Sequence, residues 1–452
     1  MHTIINKVLK NRLLIAILVV SAFFHLFRLD YPNAYVFDEV YHGFTAKEYL
    51  VGNKEAWEWW TTPPAGVAFE WTHPPLAKEI MTVSMYLLGF VNQYPGQNTE
   101  AFGWRLPGAI LGIISVFLVY KLGQRLFNTS TGLVAAFLFS FDGLNFVQSR
   151  TGMNDVYLVT FMLASVLFLL NRKFLLSAIF VGLALSSKWS ALYLIGLNGL
   201  LLGHFFLTRK ITFNEGFKAV LYIAILAPII YLISYTPFFL LNHNYGDTNN
   251  WGLFIELQRQ MWWYHSNLVA THDYASPAWS WPLNLYPVWY YVEYHSNGLV
   301  SNIFASGNPA LFWMGIGGIL ITLYDFVLSY KKKNNSVSQE ISHKHQFVFN
   351  DRDRFFIVLL GFFVFWLPWI FSPRIMFLYH YSPSVPFLCL SLGYQVELMI
   401  RHRKSRLIGL SILGIVVIGF LIVYPMLTGI PMSRELFTKF FEFNLTKNPF
   451  GE

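Results

Sequence analysis

Of the 452 residues only one, Cys389, is a cysteine. That excludes an intrachain disulfide and any cysteine-built metal cluster. Charge is scarce as well. Asp, Glu, Lys and Arg make up 12% of the chain, against roughly 25% in ordinary soluble domains. With a mean hydropathy of +0.45, too few polar side chains exist to cover a water-soluble globule. No linker-like composition divides the length, although single soluble cores stop growing near about 250–300 residues. No internal repeat points to an inverted-repeat transporter, and the leading apolar stretch lacks a small-residue cleavage site. What is present is apolar (55%) and aromatic (19%). It is gathered into repeated runs of about 20 residues, long enough to cross a bilayer. The chain reads as an all-α polytopic membrane protein.

About eleven spans are expected from runs of that length, near 12–28, 104–121, 131–147, 153–171, 173–187, 189–207, 219–240, 310–329, 355–371, 382–399 and 407–427. The net charge of +8 does not point to nucleic acid, because basic residues recur at alternate ends of the runs, as the positive-inside rule requires. Lys7, Lys10 and Arg12, Lys121 and Arg125, Arg172 and Lys173, and Arg209, Lys210 and Lys218 fall on one side. So do Lys331–Lys333, Lys344, Arg352, Arg354, Arg401, Arg403, Lys404 and Arg406. That pattern puts the N-terminus in the cytoplasm and the C-terminus outside. The division expected is 1–240, holding the first long outer segment, and 241–452, holding the second and four spans.

The two long outer segments, Leu29 to about Gly103 and Leu241 to about Pro309, are rich in tryptophan: Trp57, Trp59, Trp60 and Trp71 in one, Trp251, Trp262, Trp263, Trp279, Trp281 and Trp289 in the other. Such rings suit the headgroup region. Ala77–Gly89 and Phe254–Leu268 read as amphipathic helices lying on the outer leaflet. Lys331–Ser338 reads as a mobile cytoplasmic loop.

Several ionisable residues stand out against that topology. Arg150, Lys188 and Arg374 sit at outer ends of spans, where the positive-inside bias disfavours them. Together they suit a phosphate or diphosphate headgroup, although each alone could snorkel to the headgroups. Asp38 and Glu39 follow the first span in apolar company, between Phe37 and Val40. One could act as a general base while the other orients an arginine; a solvated acid pair is the plain alternative. His73 lies before Pro74-Pro75, a stiff entry to a surface helix, as a proton carrier, a donor to phosphate or merely a turn residue. His42 is a second imidazole near the acids. With Glu70 these residues could ligate a metal, but no paired spacing supports one. Asp142 and Asp155 flank Arg150 and suggest mutual charge compensation.

Taken in series, FDEV (37–40), THPPLAK (72–78), WRLPGAILG (104–112), DGLNFVQSR with Asp155 (142–155), SKWSALY (187–193), SYTPFF (234–239), GNP (307–309) and RIMFLYHYSPSVPFL (374–388) carry a resemblance. The chain resembles the protein O-mannosyltransferases, polyprenyl-phosphate-mannose-dependent enzymes of the GT-C membrane fold, over nearly its whole length. The resemblance implies inverting transfer of mannose from a polyprenyl-phosphate-mannose carrier to Ser or Thr of an acceptor polypeptide, on the external face of the plasma membrane. It implies Asp38 as the base and Glu39 held by Arg150. Arg150, Lys188, Arg374 and His73 would serve the donor phosphate, with Asp155 and His42 in support. It implies no metal and no cofactor beyond the lipid-linked donor. The lipid bilayer and the export machinery are the other partners it implies.

The chain departs from the pattern in two places. Tyr41 separates Val40 from His42 where the family usually has His directly, and Ala77 replaces a glycine. The soluble domain that eukaryotic members insert in a loop is missing, which resembles the prokaryotic type. Two rival readings are a GT-C enzyme that moves a sugar from a lipid phosphate to a glycolipid, and a transporter. The second would need charges along a mid-span pathway rather than collected at one face.

Overall fold

Inside hydrocarbon no water can satisfy a backbone N–H or C=O, so an apolar run has to close its own hydrogen bonds as a helix. The chain does this repeatedly. A computed structural model describes residues 2–90, 101–331, 347–372 and 374–443. Eight of its helical segments are long and apolar enough to cross a membrane: Leu9–Leu26, Ala101–Leu126, Trp189–Leu207, Phe213–Ser234, Pro309–Tyr330, Asp351–Phe371, Leu378–Arg401 and Arg406–Thr428. Each answers to an expected span. The span expected at 131–147 is a pair of helices, Thr129–Ser140 and Gly143–Arg150, bent by 62°. Those expected at 153–171 and 173–187 are shorter helices, Asp155–Leu170 and Phe174–Ser187. Length and composition therefore support eight spans, or nine if the bent pair counts as one.

The bend has a local cause. Asp142 breaks the first helix of the pair and caps the second, its carboxylate accepting the N–H groups of Leu144 (3.1 Å) and Asn145 (2.8 Å), the usual work of an N-cap acid. Asp142 is thus spent on a helix end, not on Arg150. The GNP turn locks against the bend. Asn308 donates to the carbonyls of Phe141 (3.0 Å) and Val416 (2.8 Å), and its Oδ1 accepts from Ala310 at the start of the next helix.

The long segments pack on one another rather than dangling. Helices Leu76–Leu87 and Asn250–Asn267 stand where the amphipathic helices were expected. Trp57 packs with Tyr235, Phe238, Phe254 and Met261 in one buried cluster, and the main core draws residues from both sides of 240. The fold is not purely helical, however. Strands β1 (Val288–Tyr294), β2 (Leu299–Ala305) and β3 (Met432–Ser433) form a small antiparallel sheet in the order β1-β2-β3. The VWYYVEY run of β1 is aromatic and β-branched, which suits a pleated half-buried surface. Gly298, with φ +79°, supplies the left-handed residue of the hairpin turn. The expected Lys331–Ser338 loop lies, beyond Lys331, outside the described residues.

Close helix contact leaves one glycine no room. A Cβ on Gly132 would stand 2.5 Å from the Tyr120 carbonyl oxygen and 2.9 Å from the Gln124 nitrogen; both are backbone atoms and neither can swing away. Gly132→Ala should therefore force the 101–126 and 129–140 helices apart at a cost of about 1–3 kcal/mol. The check is a lowered melting temperature of the purified protein in detergent.

Candidate active site

The turn Phe37–Val40 carries two adjacent carboxylates into opposite surroundings. Glu39 is fully buried and saturated. Arg105 grips it with two parallel bonds, Nε to Oε1 (2.7 Å) and Nη2 to Oε2 (2.6 Å). The same carboxylate accepts the Gly152 N–H (2.9 Å) and the Val36 N–H (2.8 Å). Arg105 spends its remaining N–H groups on the carbonyls of Leu29, Pro32 and Ala34, so all five donors of the guanidinium are used. This corrects the expected pairing of Glu39 with Arg150. It also removes Glu39 from proton transfer, since no lone pair is left to accept one.

Arg150 does something else. It is buried, and its guanidinium donates to the carbonyls of Phe24 (2.7 Å), His25 (2.8 Å) and Arg28 (3.1 Å). These lie at the C-terminal end of the first helix, where unpaired carbonyls and the negative end of the dipole favour a cation. The expected Asp142–Arg150–Asp155 compensation is absent, because Asp155 holds Lys188 through both oxygens (2.8 and 2.9 Å). Of the three cations expected on one face, Arg150 is committed to a helix end.

Asp38 is the other member of the pair. Its carboxylate has no hydrogen-bond or ion-pair partner among the described residues. Burial pushes its pKa up to about 7, with the charges of Glu70 and Asp155 adding to the rise and Lys188 opposing it. Phe37, at a left-handed φ of 49°, stacks its ring on Tyr290 at 4.2 Å and faces Tyr379 at 6.1 Å. The Lys188 ammonium lies 5.5 Å from the Tyr379 ring, a cation–π distance. Left-handed backbone in a non-glycine residue is costly and collects at functional sites.

The His-Pro-Pro segment forms the opposite wall. Lys78, fully buried, ties it down by donating to the carbonyls of Glu70 (2.7 Å) and His73 (2.9 Å); burial brings its pKa down to about 8 against the pull of Glu70. The His73 Nδ1 faces the Glu70 carboxylate at 3.0 Å, and Thr72 donates to the same oxygen. Burial raises the Glu70 pKa, but His73, His42 and Lys78 outweigh it and hold the group well below the usual carboxylate range. With Nδ1–H committed to Glu70, the His73 Nε2 is an acceptor in the neutral ring and a second donor in the charged one. His42 stands edge-on to His73 at 5.8 Å, its Nδ1 buried without a partner among the described residues.

His265, which the sequence reading did not single out, completes the wall. Arg374 can only donate, so the 2.7 Å contact between its Nη1 and the His265 Nδ1 makes that nitrogen the acceptor. Nε2 then carries the hydrogen and donates to the Thr72 carbonyl at 2.8 Å. Burial, with the charges of His73 and Arg374 adding to it, lowers the His265 pKa to about 3, which keeps the ring neutral. The Arg374 Nε has no hydrogen-bond partner among the described residues. His265 also lies 5.2 Å from the His73 ring and 6.1 Å from Trp189, the neighbour of Lys188. Among the described residues no three His, Cys, Asp or Glu side chains converge as a metal-holding group.

One carboxylate unpartnered among the described residues, a hydrogen-bonded His–Glu pair and two fixed cations suit acid–base work on a substrate with an anionic leaving group. The fold is that of the GT-C glycosyltransferases. It is similar to the Saccharomyces cerevisiae protein O-mannosyltransferase Pmt1-Pmt2 complex bound to the sugar donor, with a TM-score of 0.74 and 16% identity over 95% of this chain and 91% of that one. It is also similar to ArnT from Cupriavidus metallidurans bound to undecaprenyl phosphate, with a TM-score of 0.53 and 14% identity over 88% of this chain and 62% of that one.

Residues 15–243 match the family of dolichyl-phosphate-mannose-protein mannosyltransferases, and residues 250–444 match the C-terminal four-span region of protein-O-mannosyltransferase. The chain belongs to the protein O-mannosyltransferase family and is a glycosyltransferase. A polyprenol-phosphate-mannose–protein mannosyltransferase of Mycobacterium tuberculosis is 24% identical over 92% of this chain and 87% of its own length. Its Mycolicibacterium smegmatis counterpart is 24% identical over 80% and 79%.

The two carboxylates of the turn should part company in stability measurements. Arg105→Ala leaves the Glu39 charge buried and unpaired and should cost about 3–5 kcal/mol; Arg105→Lys, without the planar fork, should recover only part. Asp38→Asn removes a carboxylate whose charge burial and neighbouring acids disfavour, so at neutral pH it should melt at or above the wild type. Thermal unfolding of the three variants in detergent checks this.

Proposed function

We propose that this enzyme transfers mannose from a polyprenyl-phosphate-mannose donor to Ser or Thr hydroxyls of exported polypeptides, with inversion, on the outer face of the plasma membrane. The observation that carries the reading is Asp38: a half-buried carboxylate without a partner among the described residues, its pKa raised to about 7, near the fixed ammonium of Lys188. The acceptor oxygen attacks the sugar C1 as the C1–O bond to phosphate breaks. The hydroxyl proton passes to Asp38 and the electron pair leaves with the lipid phosphate. Arg374, with its Nε uncommitted, receives the phosphate together with the third N–H of Lys188. His73 shares its proton with Glu70 and gains a second donor as the phosphate charge favours the imidazolium. Glu39 serves the reaction only by fixing the turn that presents Asp38. Asp155 and His42 support the site, one by orienting Lys188 and the other by lining the wall behind His73.

No divalent metal or further cofactor enters this scheme, since side chains already meet the leaving charge. The alternating basic segments support a cytoplasmic N-terminus with the site outside, and acceptors arriving extended from the export machinery fit that placement.

Labelling, pH dependence, a base variant, chelation and cysteine accessibility test the proposal. A Ser- or Thr-containing peptide, and not a glycolipid, should become labelled by polyprenyl-phosphate-mannose. Because a base must be deprotonated, kcat/KM should climb with pH through about 7, the folded pKa of Asp38, and level off above it. Asp38→Asn should lower turnover by about 10²–10⁴-fold with donor affinity kept, and chelator should change nothing. Turnover that collapses with chelator and returns with Mn²⁺ would instead assign the acids to a metal. For orientation, single cysteines placed at Asn244 and at Ser338 in a Cys389→Ser background should label oppositely with an impermeant reagent in intact cells.

A further inference from the structure

Strand β1 ends the sheet. The order β1-β2-β3 pairs it on one side only, and its register with β2 shows which of its backbone groups face outward. The His295 N–H donates to the Leu299 carbonyl at 2.9 Å, so 295 and 299 are a hydrogen-bonded pair. Hydrogen-bonded and open pairs alternate along an antiparallel ladder. From the register Tyr294↔Val300, Glu293↔Ser301, Val292↔Asn302 and Tyr291↔Ile303, Glu293 and Tyr291 bond to β2. Val292 and Tyr294 direct N–H and C=O away from it. The other edge of β2 agrees: Val300, opposite Tyr294, turns to Met432 of β3.

Neither Val292 nor Tyr294 has a backbone hydrogen bond to any other described segment. An uncovered row of strand donors and acceptors is a template for another extended chain, and proteins ordinarily blunt such an edge. This one lies beside the reacting carboxylate. Tyr290, two residues before Val292, sits in the bulge between Trp289 and Tyr291 and stacks on Phe37, the neighbour of Asp38.

We propose that the acceptor polypeptide docks as an extended segment on the free edge of β1, pairing its main chain with the N–H and C=O of Val292 and Tyr294 so that a Ser or Thr hydroxyl reaches Asp38. This rests on the reading of the chain as a transferase to polypeptides. Main-chain pairing holds a substrate whatever its side chains, which suits an enzyme that must accept many sequences, and it selects chains that have not yet folded. The strand next to Asp38 then sets the depth to which an acceptor residue enters, while the cations across the site hold the lipid phosphate.

The test uses the full-length enzyme in detergent, polyprenyl-phosphate-mannose, and synthetic peptides of about ten residues with one central Thr. Wild-type enzyme is assayed with a series in which each peptide amide in turn is N-methylated. Loss of one or two hydrogen bonds should raise the peptide KM by about tenfold at alternate positions flanking the Thr, with kcat and the donor KM unmoved. Val292→Pro, which removes an outward N–H that an edge strand can spare, should raise the peptide KM by a similar factor, again with no change in donor KM. Should Val292→Pro fail to fold, the N-methyl series on the wild type decides alone. Labelling of the parent peptide with a KM that ignores every N-methyl group would overturn the edge while leaving the proposed function standing. No labelling of any peptide would overturn both. A change of oligomeric state in Val292→Pro with the peptide KM unmoved would mean that β1 pairs with a second copy, and would also overturn the proposal.

Discussion

The pairing of Glu39 with Arg105 is the constraint on which the substrate end of this molecule depends. Both side chains are almost wholly buried, and a buried ion pair is stabilising only where every donor and acceptor is met. Here each is. The guanidinium gathers three carbonyls from 29–34 as well as the carboxylate, so the chain leaving the first helix folds around it. Through the Gly152 N–H the same carboxylate ties that loop to the end of the 143–150 helix. The result is a rigid turn on which the next carboxylate back, Asp38, stands with nothing attached. Precision at the site comes from its neighbour's saturation.

Much of this was legible in the sequence, and the misses have physical reasons. Hydropathy located the spans because hydrocarbon admits little else than helices, and the motif series located the loops that line the site. The topological argument picked out cations by which side of the membrane they occupy. It cannot say which oxygen each one meets, and the resemblance implies for Arg150 the carboxylate that Arg105 holds. Arg105 sits only a few residues inside a span and reads as an ordinary interfacial arginine. His265 was hidden for another reason. Its contacts with Thr72 and Arg374 span 193 and 109 residues, and nothing in the amphipathic 250–267 helix marks one polar residue as turned inward. The β1–β2 hairpin does have a signal in the sequence, the Asn297-Gly298 turn between two aromatic, β-branched runs. Those aromatics were assigned to the headgroup region, where the same residue types are favoured.

Four carboxylates near the site show how one chemical group takes four roles. Glu39 is locked by an arginine fork and backbone amides. Glu70 accepts a hydrogen bond from His73, and Asp155 is spent on Lys188. Asp38 alone is left to environment, and burial together with the charges of Glu70 and Asp155 lifts it toward neutrality. Sorting acids by surroundings is how a site obtains a base that both accepts a proton and gives it back at physiological pH. The fixed acids matter as much as the free one, for their charges help to set its pKa.

The cations divide in the same way. Lys188 faces a full counter-charge in Asp155, which orients it but cancels much of its field beyond a few ångströms. Arg374 faces His265, whose ring is held neutral by burial and takes one N–H without offsetting any charge. On the proposed reading Arg374 therefore keeps its full positive charge for the lipid phosphate. Lys188 has a different consequence. It opposes the rise in the Asp38 pKa, so the ammonium that helps to receive the leaving group also favours the ionised form of the base. A carboxylate salt bridge on one cation and a neutral imidazole on the other thus divide base tuning from phosphate capture, within a chain that can place few charges anywhere else.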